Sequence, residues 1–404
     1  MVKYTPKQRA LMGVWENGEL RRINLLEGSV SSGKTWISLV LWAFWVASMP
    51  QERLYLMCAK SLTTLKRNCL ILLQELVGER NFTFSIPAKE GVLFGRRILF
   101  EGANDARSES KIRGMTLQGA YCDELTQFPE DFFAMLLSRL RVAGAKLIAT
   151  TNPDNPNHWL MRRYIERADE LDFLDVKFTI DDNTTLPLDY VENIKREYTG
   201  VFYDRFILGA WVVAEGLVYP MFNETFHVVD EIPWQALQRG RWFISVDYGT
   251  VNPTSAGLWC LWNGTAYRVG EYYYNSREPG KNQRTDEEHY AELEALAGER
   301  RIERIIVDPS AASFKETIRR HGRFSVWDAD NSVLDGIRLT ASLLQAGHIL
   351  IHRNCRGLLS EITAYRWDTE ATEDAVVKEA DHACDDMRYF CSTIMEREVC
   401  SVGI

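Results

Sequence analysis

The chain has no paired cysteines, no apolar run of membrane length and no surplus of positive charge. Its eight cysteines (58, 69, 122, 260, 355, 384, 391 and 400) form no CxxC pair and no regular spacing. That pattern excludes a zinc ribbon and a disulfide framework. With no leader peptide at its start, the chain is expected to carry reduced thiols in the cytoplasm. The longest apolar run, "WISLVLWAFWVASM" at 36–49, falls short of the ~20 residues a membrane span needs. It reads as a helix buried on nearly every side, and no membrane partner is expected. The net charge of -9 excludes a general attraction to nucleic acid, which would have to be met by local basic patches or metal sites. No internal repeat or low-complexity segment is present, and 404 residues leave room for two or three cores.

The first 180 or so residues alternate short apolar runs with helical patterns. Strands are expected at 22–27, 53–59, 96–102, 119–124, 145–151 and 173–180, and helices at 36–48, 62–77 and 129–140. Such alternation predicts a mainly parallel α/β sheet. A helical segment at 188–211 follows and reads as a linker. A second strand-rich unit then starts near "GLVYPMF" (216–222) and holds "RWFISVDYG" (241–249), "RIIVDPS" (304–310) and a last helix at 381–399. Between them lies a hairpin over 255–274, whose turn is marked by Asn263-Gly264.

The stretch Gly28-Ser29-Val30-Ser31-Ser32-Gly33-Lys34-Thr35 meets G-x-x-x-x-G-K-[ST] at every defined position. A chance match in a chain of this length is on the order of one in a hundred, and a strand before it and an apolar helix after it are the required context. Glycines let backbone N–H groups curl around phosphate oxygens at a helix N-terminus. Lys34 is expected to reach the β- and γ-phosphates, and Thr35 to reach Mg²⁺. The strand "GAYCDE" ends in Asp123, expected on the Mg²⁺, and Glu124, expected to orient or deprotonate water. This second acid favours ATP hydrolysis over transfer to a small molecule. Thr150, Thr151 and Asn152 lie past another buried strand, where ligands bind parallel sheets. They are candidates to sense the γ-phosphate, although an Asn-Pro turn explains them as well. Gln8 has an amide suited to adenine, or simply starts a solvated helix.

The second unit offers Asp247 and Asp308 at strand ends, and Asp385 or Asp386 on the final helix. Carboxylates converging from such elements are what two-metal phosphodiester cleavage requires, and oxygen ligands suit Mg²⁺ or Mn²⁺. His382, one helical turn earlier, is a candidate ligand or proton carrier. "VDYGT" and "VDPSA" also read as plain turns.

Taken in order, these motifs resemble the large terminase subunits of tailed double-stranded DNA phages and prophages. The likeness runs through "TPKQ", "GSVSSGKT", "IRGMTLQGAYCDE", "LLSRLR", "TTNPDNPNHW", "ILGAWVVAEGLVYPMF", "SVDYG", "VDPSA" and "DHACDDMRY". It implies an α/β chain with an ASCE-type P-loop ATPase domain (1–181), a small helical linker subdomain (182–214) and an RNase H-like nuclease domain (215–404). It also implies that Gln8 faces adenine, Thr150 to Asn152 form a coupling motif, and Asp247, Asp308 and Asp385 are the nuclease acids. Expected cofactors are ATP with Mg²⁺, and two Mg²⁺ or Mn²⁺ ions at the nuclease. Expected partners are double-stranded DNA, the portal protein, the small terminase subunit and further copies in a ring on the capsid, with monomers when free. The place of action would be the cytoplasm of an infected or lysogenic bacterium, and briefly the procapsid portal.

Two features depart from the family pattern. Many terminases carry an arginine inside the phosphate loop, where residues 29–32 are Ser-Val-Ser-Ser. A cation for the transition state must then come from elsewhere, with Arg139 the first candidate and Arg141 and Arg113 behind it. The other departure is the doubled acid: resemblance selects Asp385, whereas the apolar face of Ala383, Met387 and Phe390 runs closer to Asp386. DNA contacts are expected at "KSLTTLKRN" (60–68), Lys111 and Arg113, charges that suit a solvated face equally. Two rivals remain at this level: a helicase or repair ATPase with an attached nuclease, and a P-loop switch with a non-catalytic docking domain.

Overall fold

The computed structural model describes residues 4–369, 371, 374–396 and 398. They form two compact units, one of residues 4–196 and 201–213, the other of 197–200 and the described residues from 214 onward. No helix among the described residues is long and apolar enough to cross a membrane.

The first unit is built on eight strands: β1 (Ile23–Gly28), β2 (Leu54–Ala59), β3 (Phe82–Ser85), β4 (Glu90–Leu93), β5 (Arg96–Gly102), β6 (Leu117–Cys122), β7 (Lys146–Thr151) and β8 (Phe173–Phe178). Their order is β3-β4-β5-β2-β6-β7-β1-β8. The β3–β4 and β4–β5 pairs are antiparallel and the others parallel. One strand, β7, separates the loop-bearing β1 from the acid-bearing β6, which is the ASCE arrangement. The helix Lys34–Ser48 is apolar all round and buries Trp42, Trp45 and Val46, as its sequence demands. Trp42 meets Trp45, Tyr55 and Tyr121 at ring-centroid distances of 5.6, 6.2 and 6.0 Å, so this helix anchors the phosphate loop to the centre of the sheet. The helical pattern at 62–77 is interrupted by a π-turn, Lys66–Leu70. The expected helix over 188–211 ends early: helices span Leu188–Glu197 and Gly200–Phe206, and residues 207–211 leave the helical path.

In the second unit seven strands follow: β9 (Val228–Val229), β10 (Arg241–Asp247), β11 (Thr254–Trp262), β12 (Thr265–Tyr274), β13 (Ile302–Val307), β14 (Val326–Asp328) and β15 (Ile349–His352). They are ordered β14-β13-β10-β11-β12-β15-β9. The antiparallel β10, β11 and β12, with β13 and β14 running parallel to β10, make an RNase H-like sheet. The expected hairpin is β11–β12, with Asn263 and Gly264 both at positive φ (49° and 76°), the backbone of a two-residue primed turn. The final helix, His382–Phe390, runs into a π-turn, Cys391–Met395. Of the stretch expected to continue it, Arg397 and Val399 lie outside the described residues, as does Cys400 beyond it.

Candidate active sites

At the end of β1 the chain turns so tightly that a Cβ on Gly28 (φ 133°) would sit 1.7 Å from the carbonyl oxygen of Phe178. Only glycine fits there. The loop then delivers Lys34, which is 8% exposed, into the site. Its Nζ donates to Ser29 O (2.9 Å) and to Asn152 Oδ1 (2.6 Å). Burial lowers the Lys34 ammonium to about 8, while Asp123 and Glu124 pull it back up. The hydroxyls of Ser29 and Ser32 are buried and have no hydrogen-bond partner among the described residues. Buried donors of that kind are costly unless a ligand satisfies them, and phosphate oxygens suit them. Thr35 follows Lys34 in the first turn of the helix.

Asp123 lies directly after β6 and is 2% exposed. Thr150 Oγ1 donates to its Oδ1 (2.8 Å) and Asn68 Nδ2 to its Oδ2 (3.1 Å). Glu124 adopts a left-handed backbone (φ 55°, ψ 58°), a conformation uncommon in non-glycine residues. Its N–H reaches Thr150 Oγ1 (3.3 Å), and Thr151 Oγ1 donates to Thr126 Oγ1 (2.9 Å). Thr150, Thr151 and Asn152 thus connect the acid strand with the phosphate loop. Gln8 caps its own helix by accepting from Thr5 N–H (3.0 Å), and its amide nitrogen lies 3.0 Å from where a Cβ on Gly33 would sit. Asn183 and Tyr190, which carry no motif in the sequence, hold the loop at Ser31: Asn183 Nδ2 donates to Ser31 O (2.7 Å), and Tyr190 OH meets Ser31 Oγ (2.8 Å).

The three candidate arginines differ in surroundings. Arg139 ends the helix Glu130–Arg139 and donates to Ser138 Oγ (3.1 Å). Arg141 is tied to Thr116 Oγ1 (2.7 Å), and Arg113 is paired with Glu109. Lys111 donates to Gly102 O (3.2 Å) and Lys60 to Gln127 Oε1 (3.1 Å), so part of the expected basic patch serves internal contacts.

In the second unit β10 and β13 are parallel neighbours with Val246 opposite Val307, which brings Asp247 and Asp308 out at the same end of the sheet. Tyr389 OH donates to Asp308 Oδ2 (2.8 Å) and to Asp247 Oδ1 (3.5 Å). His382 Nδ1 meets Asp247 Oδ2 at 2.8 Å. Burial raises the Asp247 carboxyl above its ordinary value, with His382 pulling it down. Burial also works against the charged His382 ring, but the bond to Asp247 together with the negative charges of Asp247, Asp381 and Glu361 outweighs it and the imidazole is raised. Asp247, Asp381, His382, Asp385, Lys378 and Arg277 are among the residues lining a cavity of about 530 Å³.

The doubled acid separates cleanly. Asp385 faces that cavity, held by Arg388 Nη2 (3.0 Å) with Lys378 Nζ at 3.7 Å. Asp386 is fully buried, paired with Arg268 (3.0 Å for the Nη2 bond) and held by Ser245 (2.9 Å) and Ser255. Asp381, Lys378 and Tyr389 were not singled out by the sequence; Tyr389 alone had a signal, four residues after Asp385 on the same helical face. The carboxylate donors are of the right type for Mg²⁺ or Mn²⁺. As placed, they are drawn to Tyr389, His382, Arg388 and Lys378. No three His, Cys, Asp or Glu side chains among the described residues are grouped to hold an ion.

Residues 25–226 match the family described as terminase large subunit, T4likevirus-type, N-terminal. The chain is 24% identical over 312 residues to the terminase large subunit of Escherichia phage T5, covering 72% of this chain and 68% of that one. It superposes on the large terminase of a thermophilic bacteriophage with a TM-score of 0.91 and 35% identity, over 98% of this chain and all of that one. Structures of that same phage protein in complex with ADP and with ATP-gamma-S match at TM-scores of 0.90 and 0.89, each at 35% identity over 97% of this chain and 100% of the other.

Proposed function

The chain belongs to the large terminase subunits of phages, the DNA-packaging terminases, and from that premise we propose that it joins an ATPase to a metal-dependent DNA endonuclease. The ATPase lies in residues 1–181, a linker in 182–214 and the nuclease in 215–404. The observation that carries the ATPase is the buried Lys34 ammonium, poised between Ser29 O and Asn152 Oδ1 beside two unpartnered serine hydroxyls. The thermophilic-phage relative, captured with ADP and with ATP-gamma-S, supports ATP as the nucleotide. Lys34 and the loop N–H groups bind phosphate, Thr35 and Asp123 hold Mg²⁺, and Glu124 orients the attacking water while the Asn152 amide follows the γ-phosphate. Gln8 receives adenine. Arg139 acts on the site of a neighbouring copy in a ring. Hydrolysis drives double-stranded DNA through the portal into the procapsid, with the small terminase subunit as a further partner, in the cytoplasm of the bacterial host.

In the nuclease Asp247, Asp308 and Asp385 would hold the Mg²⁺ or Mn²⁺ ions, which supply Lewis-acid stabilisation of the attacking and leaving oxygens. His382 holds Asp247 in place and is placed to carry a proton. Tyr389 spaces Asp247 from Asp308, and Asp386 is confined to the buried pair with Arg268. Two assays test the reading separately. Purified wild type should hydrolyse ATP and Lys34→Ala should not. Wild type with Mn²⁺ or Mg²⁺ should cut plasmid DNA and Asp308→Ala should not. Cleavage that survives Asp308→Ala would reject the nuclease assignment.

A further inference from the structure

Besides Lys34 of the phosphate loop, a second buried cation lies close to the coupling motif, in the segment 205–212, "RFILGAWV". Arg205 is 4% exposed. Its Nη1 donates to Asp154 Oδ1 (2.9 Å) and its Nε to Val212 O (3.2 Å). Asp154 stands two residues beyond Asn152, whose Oδ1 receives the Lys34 ammonium.

The same segment grips the entry half of the phosphate loop. Val30 N–H donates to Phe206 O (2.8 Å). Gly209, at φ 64°, lies so close that a Cβ would come within 3.2 Å of Gly28 Cα and Ser29 N. Trp211 Nε1 donates to the buried carboxylate of Glu27, immediately before Gly28. One short stretch therefore holds both sides of the Lys34–Asn152 contact, the loop through Phe206, Gly209 and Trp211, and the coupling motif through Arg205.

We propose that Arg205 is a positioning residue of the ATPase: through Asp154 it fixes Asn152 against Lys34, so that the γ-phosphate is met in register. The proposal rests on the ATP-hydrolysis reading above. A guanidinium suits the task because its planar fork satisfies Asp154 and the Val212 carbonyl at once, which a lysine ammonium does not do in that geometry. Arg205 acts through Asp154 and Asn152 and not on the nucleotide itself. Its loss should therefore disturb the alignment needed for the chemical step more than ground-state binding, and misplacement on the 1 Å scale costs about 100-fold in rate.

The test is steady-state ATP hydrolysis by the full chain, comparing wild type, R205M, R205K, D154N and R205M/D154N, with thermal melts of each. Expected for R205M is a kcat at least ~10-fold lower with KM for ATP within ~3-fold. R205K should recover part of the loss, and the double variant should be no slower than the slower single one. A folded R205M with wild-type kcat overturns the proposal. So does a kcat that falls only in step with the folded fraction, or single effects that simply add. If R205M does not fold, D154N decides alone, with unchanged kcat overturning the proposal. A wild type that hydrolyses no ATP rejects the ATPase reading itself, a result distinct from all of these.

Discussion

One step along a helix turns a side chain by about 100°, and along His382–Phe390 that step parts Asp385 from Asp386. The first faces the cavity; the second sits at zero exposure against Arg268, itself fully buried. Removing one partner of a buried pair strands the other charge and costs roughly 3–5 kcal/mol. Asp386→Ala should therefore lower the melting temperature sharply, whereas Asp385→Asn should abolish cleavage and leave most of the stability. Equal melts for the two variants would refute this division of labour. Glu27 makes a second prediction. Burial lifts its carboxyl above the ordinary 4.5, against the indole N–H of Trp211 and the charge of Lys177. The folded protein then keeps a proton that the unfolded chain releases above pH 4.5. Its contribution to stability is whole below that pH and is lost as pH rises through the folded value. Glu27→Gln keeps an acceptor for Trp211 without the charge. Denaturant melts from pH 4.5 to neutrality should show wild type losing stability relative to Glu27→Gln. A pH-independent difference would mean Glu27 is ionised in the fold.

The π-turn Lys66–Leu70 shows how a whole element can serve one atom. Its wider ring interrupts the regular helix where Asn68 Nδ2 reaches Asp123 Oδ2, at 3.1 Å, and such turns are frequent at functional sites. A bond to a charged acceptor contributes about 1.5–3 kcal/mol, so Asn68→Ala should cost ATP hydrolysis roughly tenfold or more and raise the Mg²⁺ concentration needed. Titrating Mg²⁺ at saturating ATP would check this, and an unshifted curve would show that Thr150 alone holds Asp123. The same element marks the limit of what sequence pattern reveals. Apolar periodicity located the helix at 62–77 but is blind to one inserted residue, because Leu65, Leu70 and Leu73 stay buried regardless. The strands β3 and β4 escaped notice because each is four residues long and only half-buried, with turn residues between. The helix expected through 211 stops after Phe206, since Gly209 must lie against the phosphate loop. That is a tertiary demand with no local periodicity. The positions of the loop after β1, of Asp123 and Glu124 after β6 and of the strand-end aspartates were legible because residue type and spacing mark them in the sequence. The supports Asn68, Asn183, Tyr190 and Arg205 were not, since many polar residues could fill such roles.

At the scale of the whole molecule, the phosphate loop has no arginine, yet transfer of the γ-phosphoryl group builds charge that usually needs one. Arg139 sits at the end of its helix, next to Ser138, whereas Arg141 and Arg113 are tied to Thr116 and Glu109. That leaves Arg139 the least committed of the three for work on another copy. A ring of identical subunits makes such an interface heterologous, each copy offering its arginine to the next. On the proposed assignment each working site would need Glu124 from one copy and Arg139 from its neighbour. Glu124→Gln copies lack the first and Arg139→Ala copies the second, so neither ring should hydrolyse ATP at more than a residual rate. In an equal mixture, random neighbours place an intact Glu124 against an intact Arg139 at about a quarter of the interfaces. Packaging-coupled ATPase measured on procapsids should therefore reappear in the mixture at a fraction of the wild-type rate. If Arg139 served its own copy, no mixed interface would be complete and the mixture would be as inactive as its parts. Repeating the experiment with Arg141→Ala and Arg113→Ala separates the three candidates, because only the residue that crosses the interface can be complemented.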